Sequence, residues 1–325
     1  MPVIDLLHPQ LAAYQSAVEE PADFDDFWRT TISEARNLAG DPVVVPQQTG
    51  IKALSVEDVS FSGFGGQPIK AWLIRPHASP GEKLPAIIHY VGYGGGRGFP
   101  HEALHWAASG YACLRMDTRG QGSSLLSVGG TPDPEGGTHP SASGVMTRGI
   151  NSPEDYYYRR LFTDAVRAVD VVGVLPGIDP DRIAVFGRSQ GGATALAVAG
   201  LDPRIRAVIS DVPFLCDFPR ALQIATQDPY AEIVRYLAAH RDAVARTLAV
   251  LAYFDGINFS RRAQAPALFS AALMDTVCPP STVYGAYNAY AGKRKSIVDY
   301  PFNNHEGGGA HHEALQMNWL SNLLA

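Results

Sequence analysis

The segment RIAVFGRSQGGATALAVAGL, residues 182–201, constrains the chain more than any other. RIAVFG is a short, continuous apolar run of the kind a strand buried on both faces presents, and GGATALAVAGL has the small and aliphatic residues of a buried helix. Between them stands Gly187-Arg188-Ser189-Gln190-Gly191, so the chain must pass from extended to helical within one tight turn. Glycines on both sides of Ser189 permit such a turn, and the helix start supplies unpaired N–H donors beside the hydroxyl. A plain glycine-rich turn with a capping serine is the competing reading. The buried strand leading in and the helix leading out favour a displayed nucleophile.

The surrounding pattern predicts a doubly wound α/β fold. LPAIIHYVGY (84–93), YACLRMD (111–117), RAVISDV (206–212), PALFSAALMD (266–275) and KSIVDYPF (295–302) are further apolar runs bounded by turn residues, as in a parallel sheet. LSVEDVSF (54–61) and IKAWLIRP (69–76) alternate apolar and polar positions, which predicts half-exposed antiparallel strands. Helical patterns lie at 21–37, 101–110, 156–175 and 191–201. Alternation of strand and helix continues along the chain, so residues 1–325 are read as one domain with a mostly parallel sheet. A helical extension covers about 1–40. A helical insertion at about 213–262, with YAEIVRYLAAH and VARTLAVLAYF, is expected to cap the strand ends near the active site. Residues 118–154 form a long Gly, Ser, Thr and Pro-rich stretch, expected to be ordered and close to the site.

A serine hydroxyl needs a base, itself oriented by an acid. In a fold of this kind both follow the nucleophile, acid first, each just past a strand end. Asp275 ends PALFSAALMD, and His305 lies in the loop after KSIVDYPF. Asp255 competes as the acid but follows a helical pattern. The oxyanion of an acyl transfer needs two donors. The backbone N–H of Gln190 is one, and the glycine-rich HYVGYGGGRG (89–98) supplies the other, assigned to Tyr93. Those glycines lack the Lys-Ser/Thr ending of a P-loop and do not meet dinucleotide-binding spacing. His311, His312 and Glu313 lack the i, i+4 histidine spacing of H-E-x-x-H. A helix starting near Glu313 is expected to leave both histidines as surface or capping residues, with no metal and no cofactor required.

Composition narrows the classes. A net charge of −6 with no basic block argues against nucleic acid and anionic membranes as partners. Cys113, Cys216 and Cys278 are widely spaced and read as buried free thiols. MPVIDLLHPQ has no basic n-region or long apolar run, and no segment reaches bilayer-spanning length, so a cytoplasmic location is expected.

GYGGGRGFPHE (92–102), MDTRGQG (116–122), VMTRGI (145–150), YYYRRLFTDAVRAV (156–169), GRSQGG (187–192), SDVPFLC (210–216), YFDGINF (253–259), CPPSTVYGAYN (278–288) and NNHEGGG (303–309) together resemble carbohydrate esterase family seven. These are the acetyl xylan esterases that also act as cephalosporin C deacetylases, and the likeness runs from about residue 5 to the end. The resemblance implies an α/β-hydrolase fold with Ser189 as nucleophile, Asp275 as triad acid and His305 as base. It also implies an oxyanion hole at Tyr93 and Gln190, with Arg119-Gly120-Gln121 as structural support. Implied substrates are small acetylated molecules, xylo-oligosaccharides and cephalosporin C. The implied assembly is a homo-oligomer, a doughnut-shaped hexamer whose sites face an inner chamber. Two departures stand out. Arg188 occupies a position where the family more often has a small or acidic residue, and Ala310-His311-His312 replaces a less histidine-rich sequence. An oligopeptidase-like serine peptidase shares fold and triad order, but usually adds a large N-terminal propeller. A non-catalytic hydrolase-fold binding protein would commonly lack a triad member.

Overall fold

The computed structural model describes residues 5–79, 81–123, 127–137, 139–142 and 144–324. Nine strands form one sheet: β1 (Val43–Pro46), β2 (Leu54–Ser62), β3 (Pro68–Pro76), β4 (Leu84–Tyr90), β5 (Ala112–Met116), β6 (Ile178–Arg188), β7 (Ile205–Asp211), β8 (Ala267–Ala272) and β9 (Lys295–Tyr300). Their spatial order is β1-β2-β3-β5-β4-β6-β7-β8-β9. The first three strands and the β3–β5 pairing are antiparallel, and every pairing from β5 through β9 is parallel. This is the α/β-hydrolase fold that the sequence predicts.

The apolar runs are continuous because both sheet faces are covered. Ile183 and Val185 of β6 enter the main core beneath helices Phe24–Asn37, Tyr157–Val172 and Gln190–Leu201. Ala184 and Phe186, pointing the other way, join a second cluster with Trp106, Leu320 and Leu324 from helices His105–Ala108 and Gly309–Leu324. All three cysteines are free and buried, as expected.

Several elements differ from expectation. VVVP forms β1, an exposed edge strand too short to show a period. The strand expected over 84–93 ends at Tyr90, because the chain there leaves the sheet as the glycine loop. The 101–110 helix is reduced to a 3₁₀ turn at Pro100–Glu102 and a helix at His105–Ala108, closed where Gly110 takes a positive φ of 97°. Helix Pro280–Ala289, opened by prolines at its start, had no apolar period to announce it. Helices Phe218–Ile224, Tyr230–Ala239, Val244–Ala252 and Gly256–Ser260 fill the segment between β7 and β8. Residues 124–126, 138 and 143 of the long loop lie outside the described residues. No helix among the described residues is long and apolar enough to cross a membrane.

Candidate active site

The parallel strands present their carboxyl ends along one edge, and each candidate residue follows one of them. Ser189, immediately after β6, has φ 57° and ψ −119°, a conformation rare for any residue with a side chain. Its neighbours enforce that strain. The Ser189 amide donates to Asp211 O at 2.9 Å, and its carbonyl accepts from Ala193 N and Phe214 N, each at 3.0 Å. A Cβ on Gly187 would lie 2.2 Å from the Gly191 carbonyl carbon, and one on Gly191 would lie 2.2 Å from Tyr90 O. Only glycine lets β4, β6 and the helix start approach this closely.

Past β8, Asp275 is fully buried and its Oδ1 accepts the amides of Val277 at 2.8 Å and Cys278 at 2.9 Å. Its Oδ2 lies 2.8 Å from Nδ1 of His305, in the loop after β9. Asn304 Oδ1 accepts the amides of His305 at 2.9 Å and Thr276 at 3.2 Å, joining the two loops. With Nδ1–H donated to a carboxylate, His305 keeps Nε2 free to accept a proton. Ser189 and His305 line one cleft of about 590 Å³. The Cys278 thiol sits against the Ser189 hydroxyl; burial pushes it well above the usual thiol range, so it stays protonated. Asp275, Cys278 and His305 are the one trio of possible metal ligands among the described residues, with ligand atoms within 4.8 Å of one another. The hydrogen bonds already holding Asp275 and His305 account for that proximity, and a cation would have to break the bond between them.

Asp255 is placed elsewhere. Its carboxylate accepts the amides of Asp217, Phe218 and Ile257, capping helix Gly256–Ser260 inside the insertion. Burial raises its pKa to about 7.

Tyr93 lines the cleft, and Gln190 directly follows Ser189. Gly94 N and Gly95 N are occupied by Gln121 Oε1 at 2.6 Å and Gly92 O at 3.1 Å, whereas the Tyr93 amide has no acceptor among the described residues. Gln190 opens its helix, so its amide has no carbonyl one turn earlier to pair with. The Gln190 side chain donates to Val91 O at 3.2 Å and accepts from Gln121 Nε2 and Tyr158 OH, each at 3.0 Å. The Tyr93 hydroxyl donates to Glu232 Oε1 at 2.7 Å and accepts the Gly144 and Val145 amides at 2.9 Å. The insertion and the long loop therefore both reach the site. Gln121 was legible only as part of a motif, and nothing local in the sequence marks Glu232 or Cys278.

One expectation is corrected. His311 is exposed, but His312 is buried, with Nδ1 2.9 Å from Tyr300 OH and Nε2 3.0 Å from Asp211 Oδ1. The helix begins at Gly309 rather than near Glu313, so its first turn carries His312 inward. The glycines before it make that start possible: Gly307 and Gly308 have φ of 61° and 90°, and a Cβ on Gly308 would meet the Tyr300 ring at 2.2 Å.

The family description "Acetyl xylan esterase (AXE1)" matches residues 1–323. The chain belongs to the acetyl xylan esterase family. Its structure is similar to that of the acetyl xylan esterase from Paenibacillus sp. R4, with a TM-score of 0.90 and 36% identity, covering 98% of this chain and 100% of that one. Acetyl xylan esterase 1 from Thermoanaerobacterium sp. JW/SL YS485 is similar with a TM-score of 0.90 and 31% identity, covering 99% and 100%. Among curated relatives of this esterase family, acetyl esterase Axe7A of Xylanibacter ruminicola is 28% identical over 301 residues, or 88% of this chain. The chain spans 64% of the length of that relative.

Proposed function

We propose that the chain is a serine esterase that removes acetyl groups from O-acetylated xylo-oligosaccharides and related small acetyl esters, cephalosporin C included, through an acetyl-Ser189 intermediate. The observation that carries this reading is the 2.8 Å His305–Asp275 hydrogen bond at the cleft that also displays Ser189. His305 Nε2 takes the Ser189 proton as Oγ attacks the acetyl carbonyl. The oxyanion is held by the amides of Tyr93 and Gln190. Collapse expels the sugar oxygen, which leaves as an alcohol with the proton from His305. Water then attacks acetyl-Ser189 as it gives a proton to His305, and collapse breaks the bond to Oγ, which takes that proton back from His305 as acetate leaves. Asp275 holds the imidazole in the required tautomer throughout, and its buried Oδ1 accepts the Val277 and Cys278 amides.

Family membership and the likeness to two acetyl xylan esterases of known structure support the acetyl group and the sugar class. A cleft of about 590 Å³ has room for one or two sugar rings. A hexameric assembly completes the reading and rests on the family resemblance, and a monomeric mass by light scattering would remove it; a cytoplasmic location is proposed with it, in keeping with three buried free thiols that suit a reducing compartment. The decisive test is Ser189→Ala assayed on p-nitrophenyl acetate. A loss of about 10³-fold or more in kcat with an unchanged circular dichroism spectrum is expected, and near-normal turnover would refute the assignment.

A further inference from the structure

Beyond Ser189 the cleft continues into a lobe that the proposed mechanism does not use. Its wall is the carboxyl edge of β4, β5 and β6. His89 and Arg115 are register partners across β4 and β5, so both side chains leave the same sheet face. His89 also pairs with Phe186, and Arg188, two residues further along β6, shares that face. His105 closes the lobe from helix His105–Ala108, and all four side chains line the same cleft as Ser189.

The polar atoms here are poorly matched. Arg115 is only 8% exposed, yet its Nε and Nη1 have no hydrogen-bond partner. The nearest carboxylate oxygen, Glu102 Oε2, stands 3.7 Å from Nη1, too far for a hydrogen bond. His89 Nδ1 and His105 Nε2 are likewise buried and unpartnered. Arg188 has no ion-pair partner among the described residues. Five acidic residues also line the cleft, and three of them have other partners. Asp228 accepts from Arg235 Nη2 at 2.7 Å. Asp211 Oδ2 accepts from Gln316 Nε2 at 2.5 Å while its buried Oδ1, 3.0 Å from His312 Nε2, makes no hydrogen bond, and Glu306 is bonded to Asn303 Nδ2 and Asn304 N. Glu102 pairs with Arg115 through charge alone, at 3.7 Å and without a hydrogen bond, and Glu313 lines the cleft with no ion pair to either guanidinium among the described residues. A guanidinium only donates, so an acceptor of opposite charge is the ligand group that satisfies it, and buried orphan donors facing a substrate cleft call for one.

We propose that this lobe binds a carboxylate carried by the alcohol portion of the ester, with Arg115 and Arg188 as its partners, making the enzyme selective for acetyl esters of acidic alcohols. A uronic-acid substituent on an acetylated sugar and the ring carboxylate of a cephem share this chemistry. The inference rests on the esterase reading, and p-nitrophenyl acetate hydrolysis by the unmodified protein reports on that reading separately.

The test compares matched substrates that differ only in charge: an acetylated, glucuronate-substituted xylo-oligosaccharide against its uronate methyl ester, and cephalosporin C against its ring-carboxyl methyl ester. The unmodified enzyme should favour the free acid in kcat/KM by about tenfold or more, mostly through KM, and added salt should narrow the gap. Arg188→Gln should abolish most of that ratio; being exposed, the position tolerates the change. Arg115→Lys, which retains charge at a buried position, should reduce the ratio less than Arg115→Gln. A preference in only one pair identifies the source of the carboxylate. As a readout independent of turnover, the deacetylated acidic oligosaccharide should bind the Ser189→Ala protein by calorimetry and lose about tenfold in affinity when Arg188→Gln is added. Equal kcat/KM for acid and methyl ester, a ratio unmoved by Arg188→Gln, or equal affinity for acid and ester in calorimetry would each overturn the proposal and leave the lobe to water.

Discussion

Two buried aspartates show how the same residue type is put to different uses by its surroundings. Asp275 and Asp255 each accept backbone amides at the start of a turn, yet only Asp275 also meets a histidine. Their ranking from sequence depended on one fact, that Asp275 follows a strand and Asp255 a helical pattern. Strand ends converge on one edge of a parallel sheet, whereas a helix end inside an insertion has no such destination. Asp255 instead carries a pH-dependent penalty. Burial raises its pKa to about 7 in the folded chain, above the usual carboxylate value. The folded state therefore favours the protonated form. Stability from this group is fully present below about pH 4 and is lost as pH rises toward and through about 7. Asparagine has no such titration but cannot accept all three amides. The advantage of the natural protein over Asp255→Asn should thus be larger at pH 5 than at pH 8, shrinking by on the order of a few kcal/mol between them. Urea unfolding of both proteins across that range measures it, and a difference that does not change with pH would contradict the assignment.

At the scale of elements, the loop after β4 is held in shape by side chains from three other segments. Gln121 fixes the Gly94 amide, Gln190 fixes the Val91 carbonyl, and the two glutamines bond to each other above Tyr157 and Tyr158. Tyr93 lies between those fixed points, so its amide is aimed by a network rather than by its own sequence. The strands and the helix after Ser189 were legible because periodicity and glycine spacing are local. The network was not, since the partners of Gln121 lie 27, 36 and 69 residues away and no spacing rule connects them. The C-terminal helix start was misplaced for a related reason: three glycines resemble a loop, but here they are the turn that docks on Tyr300. Gln121→Leu keeps the volume and removes all three hydrogen bonds, to Gly94 N, Tyr157 OH and Gln190 Oε1. If Gln121 positions the proposed oxyanion donor, the variant should lose about 10- to 100-fold in kcat on p-nitrophenyl acetate with KM changed far less. A residue that merely supported the fold would lower the unfolding midpoint without that split.

Over the whole molecule, a buried ion network joins parts that the sheet alone does not. Arg119, wholly buried, donates from Nε to Asp164 Oδ2 at 2.5 Å and from Nη2 to Asp164 Oδ1 at 2.7 Å. Its Nη1 reaches Gln67 Oε1 at 2.7 Å and Asp133 Oδ1 at 3.3 Å, and Asp133 is gripped in turn by Arg160 at 2.8 Å through both oxygens. Asp164 also accepts the Phe64 amide at 2.8 Å. The β2–β3 turn, the long loop and helix Tyr157–Val172 thus meet at one cluster. Charges in a glycine-rich stretch ordinarily read as solvated, so the sequence marked Arg119 only as support within a motif. The energetic consequence is asymmetric. Removing one member strands a buried charge and costs about 3–5 kcal/mol, whereas replacing a pair by apolar residues of similar volume can be close to neutral. Arg119→Met should therefore be strongly destabilising because Asp164 is left without its partner. Combining it with Asp164→Leu should recover most of that loss, since Asp133 keeps Arg160, less the bond to Phe64 N. Urea unfolding of the two single variants and the double variant tests this. A double variant as unstable as the sum of the singles would show that the two residues act independently, and the pairing would not be what fastens the long loop to the sheet.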